Sequence, residues 1–415
     1  MLHTISRIPN KIAVIDKCQG INWYSWKLCE EISELLGQEG KLLYYVPKRC
    51  AVQGQPGHTE LKKIWSPYLY PLQLLRQLIK DRPEIVHIQY EFNTFGSLYS
   101  SFLVLPLLIF VKALGIKSVV TLHGPVFKLD SSRETMRYLL PPRSIVPASL
   151  VVFYMITMYR LISNLSEKII THSNFFKRVM IHEYKIDESK VAVIPHGISS
   201  GYQQCIDSSS VSDKKIILYF GYIAPRKGLE DLISAYKQIQ NICPDYLLVI
   251  AGAEPSYYKG YADQIKSLVS ESDRIIFTGF VNDKELGSLI SKAEAVVLPY
   301  IISISASGPL TLAIECGKPI VATRTEFFDE TLSDGYDAVL AQPGNSSDLE
   351  QKLLQIINDR DCRLRLSRNI KHKAEKFSWK QIAELTINMY TRVSKHTNKH
   401  SETHLNTPLY HTESE

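Results

Sequence analysis

The 415-residue sequence predicts an α/β protein made of two doubly wound parallel-sheet domains facing each other across a cleft. Three observations carry this expectation. Short β-branched and apolar runs alternate with helical patterns from end to end. One Ser- and Asp-rich stretch, residues 203–215, interrupts the alternation like an inter-domain linker. A small-residue loop then opens a helix inside the second series, in SASGPLTLAIECG at residues 305–317. The chain is also too long for one ordinary core.

In the first half, strands are expected over residues 11–15, 41–46, 85–89, 118–122, 168–171 and 191–195, with helical patterns such as 23–36 and 72–79 between them. The second half gives strands over 216–220, 246–251, 275–278, 295–299, 319–323 and 339–341. Helices are expected there over 228–239, 258–270, 283–291 and 347–358. A helix over 378–391 is expected to pack back on the first domain. The division is therefore a first domain at 1–205, a second at 206–375, a returning helix at 376–395 and a disordered polar tail at 396–415. Ligands of such sheets bind beyond the carboxyl ends of the strands, so the cleft is the expected site.

Composition narrows the class. Hydrophobic residues make up 45% and charged residues 22%, which excludes wholesale disorder. The net charge of +6 suits an anionic substrate or an acidic membrane surface and is too small to argue for nucleic acid. The 7 cysteines form no CxxC pair, which argues against a disulfide framework or zinc site and for a reducing cytoplasm. The N-terminus lacks a long apolar run, so secretion is not expected. Residues 102–113 and 145–159 are strongly apolar but fall short of the roughly 18–20 residues that span a bilayer. Buried helices are the favoured reading for both, over monotopic membrane contact.

The chemistry concentrates in the second half. Ser307 or Gly308 suits an N-cap, and Pro309 fits the first helical turn, where its missing N–H costs nothing. Gly317 and Pro319 stop the helix, which carries one carboxylate at Glu315. Free N–H groups and a positive dipole end make such a helix start an anion cradle. Arg226 and Lys227, in the turn GYIAPRKGLEDL after the strand at 216–220, add a fork and a compact charge for phosphate oxygens. No GxGxxG follows the first strand, which argues against a nicotinamide-dependent dehydrogenase.

An ordered series of landmarks now resembles the retaining GT-B glycosyltransferases of family 4, or group 1. In the second half these are FGYIAPRKGLEDLISAY, LLVIAGAEP, IIFTGFVNDKELGSLISKAEAVVLPY, SGPLTLAIECGKPIVATRTEFFDE and DGYDAVLAQPGNSSDL. The first half matches through DRPEIVHIQYEF, VVTLHGPV, EKIITHSNFFK and VAVIPHGI, and FSWKQIAELTINMY resembles the returning helix. The resemblance implies a GT-B fold of two Rossmann-like domains. It implies that Lys227, helped by Arg226, binds the donor diphosphate and that Glu315 holds the donor ribose hydroxyls. The distal phosphate would meet the amides of Leu310 and Thr311, at the start formed by Ser307, Gly308 and Pro309. His123, in TLHG, would lie near the donor sugar and acceptor, and Gly20 would belong to the loop through which the first domain approaches the phosphates. His196 matches a less definite position. Fixed positive groups would stabilise the leaving diphosphate without a metal.

The chain departs from the family pattern twice. Ser307 stands where the first glutamate of an E-x7-E pair is usual, and Tyr222 stands where an arginine is usual. The expected function is transfer of a sugar, with retention, from a nucleotide-diphosphate donor to a glycan or lipid-linked acceptor, in polysaccharide or glycoconjugate synthesis. The alternative is a non-catalytic partner subunit. No cofactor beyond the donor is expected and no nucleic acid. The location is expected to be cytoplasmic, with peripheral membrane contact through the first domain left open.

Overall fold

A computed structural model describes residues 8–17, 22–51, 54–92, 94–96, 98–124, 126–128, 146–199 and 214–395. Gly20, residues 203–213 of the expected linker and the 396–415 tail lie outside the described residues.

The first domain runs β1 (Lys11–Ile15), α1 (Asn22–Leu36), β2 (Lys41–Pro47), β3 (Glu60–Trp65), α2 (Tyr70–Asp81), β4 (Ile85–Tyr90), α3 (Leu98–Ser101), α4 (Val104–Ala113), β5 (Lys117–Leu122), α5 (Ala148–Leu165), β6 (Lys168–Thr171), α6 (Asn174–His182) and β7 (Val191–Val193). Its seven strands are parallel, in the order β3-β2-β1-β4-β5-β6-β7. The second domain runs β8 (Lys215–Phe220), α7 (Leu229–Ile239), β9 (Tyr246–Ala251), α8 (Tyr261–Ser267), β10 (Ile275–Gly279), α9 (Asp283–Lys292), β11 (Ala293–Leu298), α10 (Gly308–Glu315), β12 (Ile320–Thr323), α11 (Glu326–Thr331), β13 (Val339–Ala341), α12 (Ser346–Asn358) and α13 (Arg360–Lys376). Its six-stranded parallel sheet has the order β10-β9-β8-β11-β12-β13. Both sheets are doubly wound, as predicted. The order reverses between β1 and β4 and between β8 and β11, where such sheets open a ligand crevice.

The pleat of β1 explains how the first domain is covered. Ala13 and Ile15 face a core shared with α2, α4 and α5, including Leu74, Leu108 and Ile162. Ile12 and Val14 face the opposite core, with Leu28 and Ile32 of α1. That second core is closed by α14 (Trp379–Lys395), which contributes Ile382, Ile387, Tyr390 and Val393. The chain thus returns to the first domain after completing the second, at a junction where Ile198 N–H donates to Phe377 O over 2.8 Å.

Four features differ from the sequence expectation. β3 went unread because ELKKIW is a charged edge strand, a normal guard against edge pairing. α13 went unread because its narrow apolar stripe, Cys362, Leu366, Ile370 and Ala374, is embedded in charged residues. Cys50 and Cys316 each take part in a disulfide, against the expectation of no disulfide framework, while Cys29, Cys243 and Cys362 are free. Scattered spacing carries no record of which cysteines folding brings together. The apolar segment at 145–159 extends to an 18-residue helix, α5, of which only 28% is buried. One face, with Met155, Met158, Tyr159 and Ile162, packs on the core as expected, and the other is exposed at Leu150, Phe153 and Leu161.

The domains touch around their strand ends. Val126 N–H, beyond β5, donates to Ile304 O, beyond β11, over 2.8 Å. A Cβ on Gly124 would stand 2.8 Å from Ile304 O and from Ser305 Cβ, so only glycine permits this approach. Phe176 stacks on Phe327 with ring centroids 5.6 Å apart, and Lys128 pairs with Glu326 at 3.1 Å.

Candidate functional site

The centre of the second-domain site follows from two tight turns. Gly228 has φ 66°, and a Cβ there would lie 1.9 Å from Pro299 O, so the turn holding Arg226 and Lys227 presses directly on the end of β11. Ile301 N–H donates to Arg226 O over 2.9 Å and locks the contact. Lys227 is thereby pushed inward, to 7% exposure, with Nζ 3.3 Å from the centroid of the Tyr300 ring. No carboxylate pairs with it among the described residues. Burial, reinforced by the neighbouring Arg226, holds its ammonium pKa well below the ordinary value. Arg226 and Tyr222 both lie close to the Tyr257 phenol. The tyrosine at the departure position thus shares its surroundings with Arg226.

The Tyr300 hydroxyl lies 3.0 Å from Ser307 Oγ. Ser307 is the N-cap of α10: its Oγ accepts from Leu310 N–H at 3.3 Å, and its carbonyl accepts from Thr311 N–H at 3.0 Å. The two amides expected to hold phosphate are therefore engaged by Ser307, the first through a long bond. At Gly308 nothing stands within 4 Å of where a Cβ would be, and Pro309 occupies the first turn. At the far end of α10, Glu315 is 6% exposed. Its Oε1 accepts from Ser199 N–H of the interdomain crossing at 2.8 Å, whereas Oε2 has no partner. Burial raises its carboxyl pKa to about 7, against the lowering effect of the Ser199 bonds.

The first domain contributes a buried imidazole relay. His172 Nδ1 lies 3.0 Å from Ile194 O, which only accepts, so Nδ1 carries the proton. Burial lowers the His172 pKa to about 3, keeping the ring neutral, so Nε2 accepts from His123 Nδ1 at 3.2 Å. Burial also pushes His123 well down, so its Nε2 must accept too. The Gln89 side-chain amide lies 2.8 Å from that nitrogen, and an accepting Nε2 takes its NH2 rather than its oxygen. His87 Nε2 lies 2.7 Å from Thr121 Oγ1 and 3.2 Å from the Gln89 amide, and His87 Nδ1 lies 2.5 Å from the Tyr390 hydroxyl. The directions at His172, His123 and Gln89 follow from one carbonyl and from neutrality. Both His123 nitrogens are consequently engaged inside the protein, and proton transfer there would break the relay.

His196 joins neither group. Its Nδ1 contacts Gly197 O at 2.8 Å, and its ring packs against Tyr24 and Trp379 at the junction. A small cavity lies between the domains, lined among others by His172, His196, Ser307, Thr311, Phe327 and Phe377. The structure thus gathers Arg226, Lys227, Ser307, Gly308 and Pro309 around one cleft wall, with Leu310 and Thr311 behind the cap. Glu315 sits at the other end of the helix. Tyr300, Ser199, Gln89 and His172 are members that sequence reasoning missed, since nothing in their spacing marks them.

Two doubly wound parallel-sheet domains that meet at their strand ends define a two-domain α/β protein. Comparison with known proteins gives the family. A family model described as glycosyl transferases group 1 matches residues 206–373, and one described as glycosyltransferase family 4 matches residues 35–201. The chain belongs to these group 1/family 4 glycosyltransferases of GT-B fold. It is 28% identical over 232 residues to an uncharacterised glycosyltransferase of Methanocaldococcus jannaschii, a match covering 55% of this chain and 60% of that protein. It is 25% identical over 235 residues to the O-antigen chain mannosyltransferase B of Escherichia coli, covering 54% of this chain and 60% of the relative. The matches therefore span about three-fifths of these curated relatives. The sucrose-phosphate synthase of Thermosynechococcus elongatus shares the fold with a TM-score of 0.70 at 17% identity, over 93% of this chain and 99% of that one. Anabaena HepE, solved with UDP and glucose, does so with a TM-score of 0.65 at 16% identity, over 92% and 99%.

Proposed function

We propose that the protein transfers a hexosyl group, with retention, from a nucleotide-diphosphate sugar to a glycan or lipid-linked acceptor in glycoconjugate or polysaccharide synthesis. The observation that carries this is the pairing of two buried, unsatisfied groups of opposite sign in one domain. Lys227 lacks a counter-ion among the described residues, and Glu315 Oε2 lacks a donor. Buried charges are costly unless something completes them. A nucleoside diphosphate brings both complements: phosphate oxygens for Lys227, and ribose hydroxyls for Glu315.

In this reading Lys227, Arg226 and the N-terminus of α10 stabilise the diphosphate as the glycosyl–oxygen bond breaks through an oxocarbenium-like state. Fixed protein charges do this work, and the scheme calls for no metal. Ser307 is occupied as a cap, so the sugar would meet its hydroxyl through the Tyr300–Ser307 pair rather than a carboxylate. The work is assigned to the cytoplasmic side, where such donors are made. One observation favours a second reading, a non-catalytic partner subunit: Ser307 already uses the amides of Leu310 and Thr311.

A thermal-shift screen against UDP-, GDP-, ADP- and TDP-sugars separates the two. A true donor raises the melting temperature in proportion to RT ln(1 + [L]/Kd). A shift with one donor, followed by its turnover, supports transfer. No shift and no turnover with any donor would favour the subunit.

A further inference from the structure

We propose that Tyr222 and Tyr257 form a platform for one pyranose ring of the acceptor, whose hydroxyls Glu91 of the first domain receives across the cleft. The two tyrosines stand on neighbouring turns, after β8 and β9, that press on each other. A Cβ on Gly252 would lie 1.9 Å from Gly221 O, and Ile223 N–H donates to Ala253 O over 3.0 Å. The Tyr219 hydroxyl donates to Tyr222 O at 2.6 Å, and Tyr257 packs on the buried Tyr258 ring with centroids 4.8 Å apart. Both turns are thus fixed, yet Tyr222 is 59% exposed and Tyr257 46%.

Their place is beside the anion cradle. A Cβ on Gly221 would stand 3.2 Å from Pro309 Cγ, so the turn that carries Tyr222 abuts the first turn of α10. The facing wall belongs to the first domain. Lys17, after β1, and Glu91, after β4, flank the point where that sheet reverses its strand order. Lys17 Nζ reaches Glu91 Oε2 at 2.8 Å, and among the described residues nothing bonds to Glu91 Oε1. Burial raises the Tyr257 phenol pKa and Arg226 lowers it, while Tyr222 and Glu91 both raise it, so the carboxylate faces the same phenol.

This chemistry selects a sugar. A pyranose ring has an apolar C–H face and a rim of hydroxyls. A tyrosine offers a rigid apolar face with a polar tip, at little entropic cost. A carboxylate with an open oxygen accepts from adjacent hydroxyls in charge-assisted bonds stronger than neutral ones. An alkyl chain on the same surface would leave Glu91 and Arg226 against apolar atoms, at a cost in desolvation. Single exposed tyrosines are ordinary, whereas two on paired turns, opposite a carboxylate across a cleft, combine the apolar wall and placed polar groups of a ligand site. Binding of the ring stands by itself; its assignment to the acceptor rests on the transfer reading.

The test is saturation-transfer NMR on the full chain, with the methyl α-glycosides of glucose, mannose, galactose and N-acetylglucosamine as probes. At least one is expected to receive saturation at its ring C–H protons. Tyr222→Ala/Tyr257→Ala should weaken that binding by about tenfold or more. Tyr222→Phe/Tyr257→Phe keeps the ring faces and should retain it, and both double variants should melt like the parent. Glu91→Gln should weaken it by about tenfold. No saturation of any glycoside, or affinity unchanged by the alanine pair or by Glu91→Gln, would overturn the proposal. So would an alanine pair that loses the thermal shift with nucleotide and keeps glycoside binding, which would assign the rings to the donor. Failure of the donor screen with glycoside binding intact would sink transfer and leave the platform standing.

Discussion

Lys227 sits inside the second domain with an aromatic face beneath its ammonium and no carboxylate beside it among the described residues. An anion arriving there gains a partner whose desolvation has already occurred on folding. Under the transfer reading, Lys227→Ala should therefore weaken binding of the nucleoside diphosphate that the donor screen selects by about tenfold to a hundredfold, the range for a charge-assisted hydrogen bond. Calorimetry decides the matter, and unchanged affinity would remove Lys227 from the site. Glu315 makes a second prediction at this scale. Its carboxyl is raised from 4.5 to about 7, and only the ionised form is a full acceptor for two ribose hydroxyls. Affinity for that nucleotide should rise as pH increases from roughly 6 to 8, and Glu315→Gln should flatten that rise. An identical pH profile in parent and variant would show that Oε2 is not an acceptor for the nucleotide.

One element is completed across the domain boundary. The first N–H groups of α6, at Asn174 and Phe175, both donate to the Glu330 carboxylate of α11 at 2.5 Å, and Ser173 caps Phe176 at 3.2 Å. A helix start in one domain is thus satisfied by a carboxylate from the other, where charge and dipole also agree. Glu330→Ala should cost on the order of 1–3 kcal/mol and increase the radius of gyration in small-angle scattering as the domains part. Unaltered melting and scattering would mean that this contact does not hold the domains together.

At the scale of elements, most strands were legible because each is buried on both faces and reads as an unbroken apolar run, as Ile12–Ile15 does. β3 was illegible because an edge strand is under the opposite demand, and its Lys62 and Lys63 serve that demand. The site divides in the same way. Ser307, Pro309 and Glu315 could be read because local capping rules fix their places on one helix. Tyr300 beneath Lys227, and Gln89 between two histidines, could not, since only tertiary packing makes them neighbours.

Across the whole molecule, four neutral imidazoles set the response to acid, His87 and His172 buried and His123 and His196 half-buried. Burial lowers His87 and His172 to about 3 and His196 to about 4, and His123 lies well below its ordinary 6.5. A depressed base binds its proton in the unfolded chain first, so folding stability falls as pH drops below 6.5. Glu315 acts with the opposite sign, favouring the fold slightly as pH falls from about 7 toward 4.5. The imidazoles prevail by number, each contributing on the order of 1 kcal/mol per pH unit. Thermal melts between pH 7.5 and 5 should show a steep loss, softened in Gln89→Leu/His87→Phe. A flat profile would mean that the rings are not held neutral.

The return of α14 bears on how the protein is born. Residues 379–393 close the second core of the first domain, over Tyr24, Leu28 and Ile32. On the ribosome, that face must therefore stay bare while the entire second domain is made. At roughly 5–20 residues per second the wait is on the order of ten seconds or more. The domain synthesised first is the one finished last, and its half-covered sheet is the surface a chaperone would meet.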